Sequence, residues 1–232
     1  MSKQKLVVLT GAGISAESGI ATFRDSGGLW EGYDVTEVAS PEGWAANQEL
    51  VLDFYNQRRK NAVDAQPNAG HKALVALEAH YEVTIIAQNI DNLHEKACST
   101  NIIHLHGEIF KAESTQNPEL VYDIDGWELN LGDVGEDGAQ LRPHIVWFGE
   151  AVPMMEVAAR VTVEADIFAV VGTSLVVYPA ASLIDFVATE IPKYIIDPKR
   201  PDVFERLNMH FIEEPASTGV PKLMDMLLKT QH

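Results

Sequence analysis

TGAGISAESGIATFR, Thr10 to Arg24, follows directly on the apolar run Leu6-Val7-Val8-Leu9. Four apolar residues bounded by polar ones predict a buried β-strand. Gly11 and Gly13 then open a loop, and a helix is expected to start at Ser15. A strand that passes through a glycine-rich turn into a helix N-terminus makes an anion site, because backbone N–H groups and the helix dipole face the ligand. The spacing is Gly11-x-Gly13-x-x-Ala16, a variant of the dinucleotide fingerprint with alanine in third place. On these residues alone, a glycine turn before an ordinary helix explains the pattern equally well. No acidic residue stands at the usual distance, after a second strand, to hold a ribose. The polar, glycine-rich tail Thr22 to Gly28 is longer than a minimal link and reads as a flap over a bound dinucleotide.

Outward from this loop, strand-like runs recur at Val83–Ala87, Ile102–Leu105, Ile167–Val171, Tyr194–Ile196 and His210–Ile212. Helical spacing lies between them at Asn68–Ala79, Met154–Val163, Ala180–Thr189 and Val220–Leu228. Strands alternating with helices predict an α/β fold with a doubly wound, Rossmann-like parallel sheet. Two segments interrupt the alternation. Residues 35–66 carry helical runs and the aromatics Trp44, Phe54 and Tyr55, and residues 108–142 are polar and acidic. They are expected to form a smaller lobe, leaving 1–34, 67–107 and 143–232 to a nucleotide-binding domain.

The chain has 232 residues, 46% of them apolar and 22% charged, which is globular composition. No apolar stretch is long enough to span a bilayer. The N-terminus lacks a secretory pattern, so the expected location is the cytoplasm, with no membrane partner. A net charge of −17 opposes nucleic-acid binding by phosphate attraction and favours a basic partner, although solubility alone would also explain it. The single cysteine, Cys98, excludes an internal disulfide and any zinc site built from several cysteines. It reads as a structural thiol rather than a nucleophile.

Polar clusters follow three of the predicted strands, where open α/β sheets place their ligands. Gln88-Asn89-Ile90-Asp91 offers partners for a ribose or a carboxamide, and Asp91 equally suits a helix cap. His104-Leu105-His106-Gly107 comes next. Strand alternation would put both imidazoles on one face, but no acidic or cysteine partner at metal spacing is evident, so no metal is expected. A histidine at a strand end before glycine is a candidate general base. Gly172-Thr173-Ser174 suits phosphate or ribose contact. Arg142 to Glu150, RPHIVWFGE, reads either as a core strand or as an exposed edge that accepts a peptide.

Taken in order, TGAGISAESGIATFR, QNID, HLHG, RPHIVWFGE and GTSLVVYPAA resemble the sirtuin family of NAD-dependent protein-lysine deacylases across almost the whole chain. The resemblance implies NAD as co-substrate and acyl-lysine proteins or peptides as substrates. It implies cofactor contacts from Gly11, Ala12, Gly13, Thr22, Phe23, Arg24, Gln88, Asn89, Ile90, Asp91, Gly172, Thr173, Ser174 and Ala216. His106 becomes the general base, with Asn89 and Asp91 beside it. The acyl carbonyl oxygen would attack the ribose carbon as nicotinamide leaves. His106 would then take a ribose hydroxyl proton, and the acyl group would depart on ADP-ribose. Val146, Phe148 and Gly149 would pair with the peptide backbone.

Tyr55 and Arg58 lie three apart and share a face if their segment is helical. A surface ion pair or packed aromatic is the ordinary reading. The pair also matches the sirtuin subgroup that removes succinyl and malonyl groups, which implies desuccinylase and demalonylase activity beside deacetylation. Two departures stand out. Residues 108–142 hold none of the four zinc cysteines that most sirtuins carry. Ser114 stands near the place of the first, and packing of Trp127 and Tyr122 is the expected substitute. The asparagine that many relatives place near Ile195 for adenosine is also missing. Mono-ADP-ribosyl transfer to protein, a non-catalytic NAD sensor and an NAD dehydrogenase are the competing functions. The sequence leaves the oligomeric state open.

Overall fold

A computed structural model describes residues 3–21, 29–30, 32–201 and 206–229. The expected flap, and with it Thr22, Phe23 and Arg24, lies outside the described residues. The strands in chain order are β1 (Lys5–Thr10), β2 (Leu29–Trp30), β3 (Tyr33–Asp34), β4 (Glu82–Ala87), β5 (Ile102–His104), β6 (Gly107–Ser114), β7 (Val121–Asp123), β8 (Leu141–Ile145), β9 (Ile167–Val171), β10 (Lys193–Ile196) and β11 (Met209–Ile212). The helices are α1 (Val35–Val38), α2 (Pro41–Ala46), α3 (Gln48–Asp64), α4 (Ala69–Leu77), α5 (Leu93–Lys96), α6 (Met155–Val163) and α7 (Ala216–Lys229).

Six strands form a parallel sheet in the order β11-β10-β9-β1-β4-β5. β1 is central because it is apolar on both sides. Leu6 and Val8 point into a core shared with α4 and α7 through Leu74, Leu77, Val220 and Leu223. Val7 and Leu9 point to the other face, with Phe168, Val170, Ala158 and Leu183. Each such side chain removed from water contributes about 1.5–3 kcal/mol, so the sheet is held from both faces. After β1 the chain builds outward on one side to β4 and β5, and later on the other to β9, β10 and β11. The topological switch therefore falls at β1, beside β9, and ligands of such sheets bind there.

The four helical patterns hold, with one difference. Ala180 to Phe186 coils as a 3-10 segment, and the expected stretch to Thr189 stops short because Val187 is extended.

Residues 108–142, polar in sequence, contribute most of a second sheet in the antiparallel order β7-β6-β8. Its inner face packs on α3 through Leu52, Ala112, Leu129 and Leu141 and through Phe54, Tyr55, Ile109 and Trp147. The first half of RPHIVWFGE pairs on one side with β6, Arg142 and Pro143 opposite Glu113 and Ala112, and β8 stands at the edge of that sheet. Among the described residues no helix is long and apolar enough to cross a membrane.

Candidate active site

The loop after β1 makes two single 3-10 turns, Ala12–Ile14 and Ala16–Ser18, and not the α-helix expected from Ser15. The glycines serve another purpose. Gly11 N–H donates to Val171 O at 2.9 Å and Gly13 N–H to Gly172 O at 2.8 Å, which zips the β1 loop to the β9 loop across the switch point. A Cβ on Gly13 would lie 2.6 Å from Gly172 Cα, and Gly172 has φ +63°. This loop therefore brings no α-helix N-terminus to the crevice. The two loops instead form one wall, with Thr173 and Ser174 on it.

β4 delivers Gln88, Asn89, Ile90 and Asp91 to the opposite wall. Asp91 engages protein donors with both oxygens. Oδ1 accepts Leu93 N–H at 3.0 Å and starts α5. Oδ2 accepts Ser15 Oγ–H at 2.8 Å and Asn89 Nδ2–H at 3.2 Å. Asn89 also donates to Ser15 Oγ at 2.9 Å. The Ser15–Asn89–Asp91 knot thus joins the loops after β1 and β4. Burial pushes the Asp91 carboxyl above its ordinary value, against the pull of these donors.

His106 lies just past β5. Its Nδ1 stands 2.8 Å from Gln88 O, and a carbonyl accepts only, so Nδ1 carries the proton and Nε2 keeps its lone pair as an acceptor. Burial holds the imidazole below its ordinary pKa and therefore neutral at pH 7. Gly107 next to it has φ +84°, and a Cβ there would meet His144 O at 2.1 Å. Only glycine lets β6 leave His106 at this angle.

His104 does not share that site, because β5 ends at His104 and strand alternation stops there. The expectation that no acidic partner accompanies it is also incorrect. Its Nε2 lies 2.7 Å from Glu95 Oε1 and 3.9 Å from Glu108 Oε2. These three residues bring ligand atoms within 4.8 Å of one another, close enough for a cation. Lys111 Nζ already sits 2.9 Å from Glu108. Although burial works against it, the two carboxylates hold His104 above its ordinary pKa, so the cluster balances as an ion-pair network.

Between the walls runs a continuous cleft of about 1160 Å³. It is lined by Gly11, Ala12 and Gly13, by Gln88 to Asp91, by His106 and by Gly172 to Ser174. Tyr55, Arg58, Val146, Phe148 and Gly149 also line it. Tyr55 is fully buried, and its hydroxyl accepts Trp147 Nε1–H at 3.1 Å. The Arg58 guanidinium lies 3.5 Å over the Phe54 ring. Val146 N–H donates to His106 O and Phe148 N–H to Ala39 O, both at 3.0 Å, so these amides face the protein. Ala216 falls in the core at the start of α7, and its neighbour Pro215 lines the cleft instead.

Sequence reading passed over two cleft residues. Ser15 pairs with partners more than 70 positions away, which no local pattern reveals. Asp197 lines the cleft just past the carboxyl end of β10, where open parallel sheets place their ligands. Cys98, expected to be structural, is exposed after α5.

The model of the Sir2 family matches residues 11–179. The chain belongs to the Sir2 family. This sirtuin is 50% identical over 230 residues to a Bacteroides thetaiotaomicron protein named NAD-dependent protein deacylase, covering 97% of the chain and 98% of the relative. It is 52% identical over 228 residues to a Helicobacter pylori protein of the same name, at 97% and 98% coverage. Among solved structures, a Sir2 homologue in complex with NAD superposes with a TM-score of 0.89 at 35% identity, covering 99% of this chain and 91% of that one. A Sir2 protein bound to acetylated peptide superposes with a TM-score of 0.77 at 25% identity, at 99% and 94% coverage.

With one cysteine in the chain, this sirtuin cannot build a four-cysteine zinc site. Its small sheet is tied by side chains instead. Ser114 Oγ donates to Asp137 Oδ2 at 2.5 Å and accepts the N–H groups of Gln116 and Asn117 at 3.1 and 3.2 Å. Asp137 Oδ1 accepts Ala139 N–H at 3.0 Å. Tyr122 and Trp127 both contribute. The Tyr122 hydroxyl accepts Glu136 N–H, while the Trp127 ring lies under Lys60 Nζ.

Proposed function

We propose that this sirtuin is an NAD-dependent protein-lysine deacylase that takes acidic acyl groups, succinyl and malonyl, as well as acetyl. The carrying observation is that Tyr55 and Arg58 line the same cleft as His106 and Asn89. The donor set fits a dinucleotide. Asn89, Asp91, His106, Thr173, Ser174 and Asp197 all line the cleft. NAD supplies the ribose carbon that gives up nicotinamide and carries the acyl group away.

The protein's own contribution is placement and one proton. The Ser15–Asn89–Asp91 knot fixes the polar wall, so little reorganisation is needed during the reaction. His106, neutral and protonated on Nδ1, accepts a ribose hydroxyl proton at Nε2. A peptide strand against residues 146–149 would use the carbonyls of Val146 and Phe148, since their amides are engaged. At the acyl end, the Arg58 guanidinium can grip a carboxylate through paired hydrogen bonds. The Tyr55 hydroxyl, which accepts from Trp147, lines the same cleft beside it.

Peptides that differ only in the lysine acyl group, followed by mass spectrometry with and without NAD, test this reading. Two charge-assisted hydrogen bonds at about 1.5–3 kcal/mol each set the scale. Arg58→Met should lose about 100-fold or more in kcat/KM for succinyl-lysine and far less for acetyl-lysine. Equal losses on both would reject the carboxylate grip. Labelled NAD decides against the alternative of mono-ADP-ribosyl transfer if label leaves with the acyl group and does not stay on protein.

A further inference from the structure

α3 presents two polar pairs one residue apart. Tyr55 and Arg58 face the cleft, while Asn56 and Arg59 lie about 100° round the helix and face the small sheet. Arg59 is fully buried. Its Nε donates to Ile109 O at 2.6 Å, and its Nη1 donates to Trp127 O at 2.6 Å and to Asn56 Oδ1 at 2.7 Å. Asn56 in turn pairs with both backbone groups of Leu129, at 2.9 and 3.1 Å. The path continues into the site, because Ile109 N–H donates to Ile90 O at 2.8 Å.

The rest of the contact between α3 and the small sheet is largely apolar. Apolar packing attracts without fixing direction, whereas a planar five-donor fork held by three acceptors allows one helix rotation. A turn of α3 by about 20° would move a side-chain tip some 7 Å from the axis by about 2.5 Å. That exceeds the tolerance of a hydrogen bond. A buried guanidinium held by carbonyls also adds little net stability, since its desolvation opposes its bonds, so register is the better account of its presence.

We propose that Arg59 and Asn56 are positioning residues that set the rotation of α3 and so aim Tyr55 and Arg58 at the acyl group. The proposal rests on the reading of Tyr55 and Arg58 as the acyl-recognition pair. It gives the small lobe a task in specificity, through an anchor that needs no metal.

The test compares Arg59→Lys, Asn56→Ala and Arg58→Met with the parent enzyme on acetyl- and succinyl-lysine peptides, well below each melting temperature. A lysine keeps the charge and loses the fork. Arg59→Lys should lower the succinyl-to-acetyl ratio of kcat/KM at least tenfold, the loss falling on the succinyl side. Asn56→Ala, milder and the fallback if Arg59→Lys does not fold, should lower it about threefold or more. A ratio within twofold of the parent in a folded variant, with both activities falling together, would make Arg59 merely structural and overturn the proposal. Arg58→Met reports separately on the acyl reading. If that variant leaves the ratio unchanged, the crystal structure of the Arg59→Lys or Asn56→Ala enzyme decides positioning. A Tyr55–Trp147 contact broken, or Arg58 displaced by more than about 1 Å, supports it, and an unmoved pair refutes it.

Discussion

Lowering the pH from 5.5 to 4.5 should cost this protein about 2.5 kcal/mol of stability through two histidines outside the reaction. His71 on α4 and His94 on α5 are 0% and 2% exposed, with ring centroids 5.0 Å apart. His94 Nε2 meets Thr10 Oγ at 3.1 Å, while neither nitrogen of His71 has a hydrogen-bond partner among the described residues. Burial pushes His71 down to about 4, and burial with the neighbouring His71 and His104 pushes His94 down to about 3. In the unfolded chain both titrate near 6.5. Between those values the unfolded state binds two protons that the native state refuses. Stability is therefore full above about pH 6.5 and falls as pH drops, by about 1.36 kcal/mol per proton per pH unit. His104 does not contribute to this slope, because its raised pKa leaves it protonated in both states there. Guanidinium unfolding at half-unit steps from pH 4.5 to 7.5, followed by tryptophan fluorescence, reads the slope. His71→Leu removes one titrating ring and should reduce it to about 1.4 kcal/mol per pH unit. A parent slope below about 1, or an unchanged slope in the variant, would show that the pair is not held neutral.

Further expectations follow from the same structure. Since His106 must be neutral to accept a proton and its pKa is lowered by burial, kcat/KM should fall on the acid side with a midpoint below 6.5; a midpoint above 6.5 would contradict the assignment. Ser114→Ala leaves two backbone N–H groups without their acceptor and should cost about 1–2 kcal/mol, or roughly 3–6 °C in Tm for a chain of this size. A chelator should leave the Tm of the parent in place, and a drop on chelation would point to a metal in the lobe.

The large sheet was legible because its strands are buried on both faces, so Leu6–Leu9 and Ile167–Val171 appear as unbroken apolar runs. The small sheet was not, because β6 buries only one face and a register shift between Gly107 and Ala112 breaks its alternation. Ile109 and Ala112 face α3 while Glu108 and Lys111 face outward, and such a segment reads as polar loop. The loop after β1 was misread for a related reason. Gly11 and Gly13 look like the opening of a helix, yet they are required by Gly172, some 160 residues away. QNID and His106 were found because polar residues at strand ends have no packing explanation. Asn56 and Arg59 stayed hidden because a charged residue on a helix ordinarily faces solvent. Only the fold reveals that the carbonyls of Ile109 and Trp127 surround this one.

The account stands or falls on transfer of an acyl group to NAD-derived ADP-ribose with His106 as base. The direct measurement is mass spectrometry of all products from an acyl-lysine peptide, for the parent and for His106→Ala, with and without NAD. The account predicts free lysine, nicotinamide and acyl-ADP-ribose in equal amounts from the parent with NAD, none without it, and a loss of about 100-fold or more in the variant. Acyl removal that continues without NAD, or that survives undiminished in His106→Ala, would contradict it.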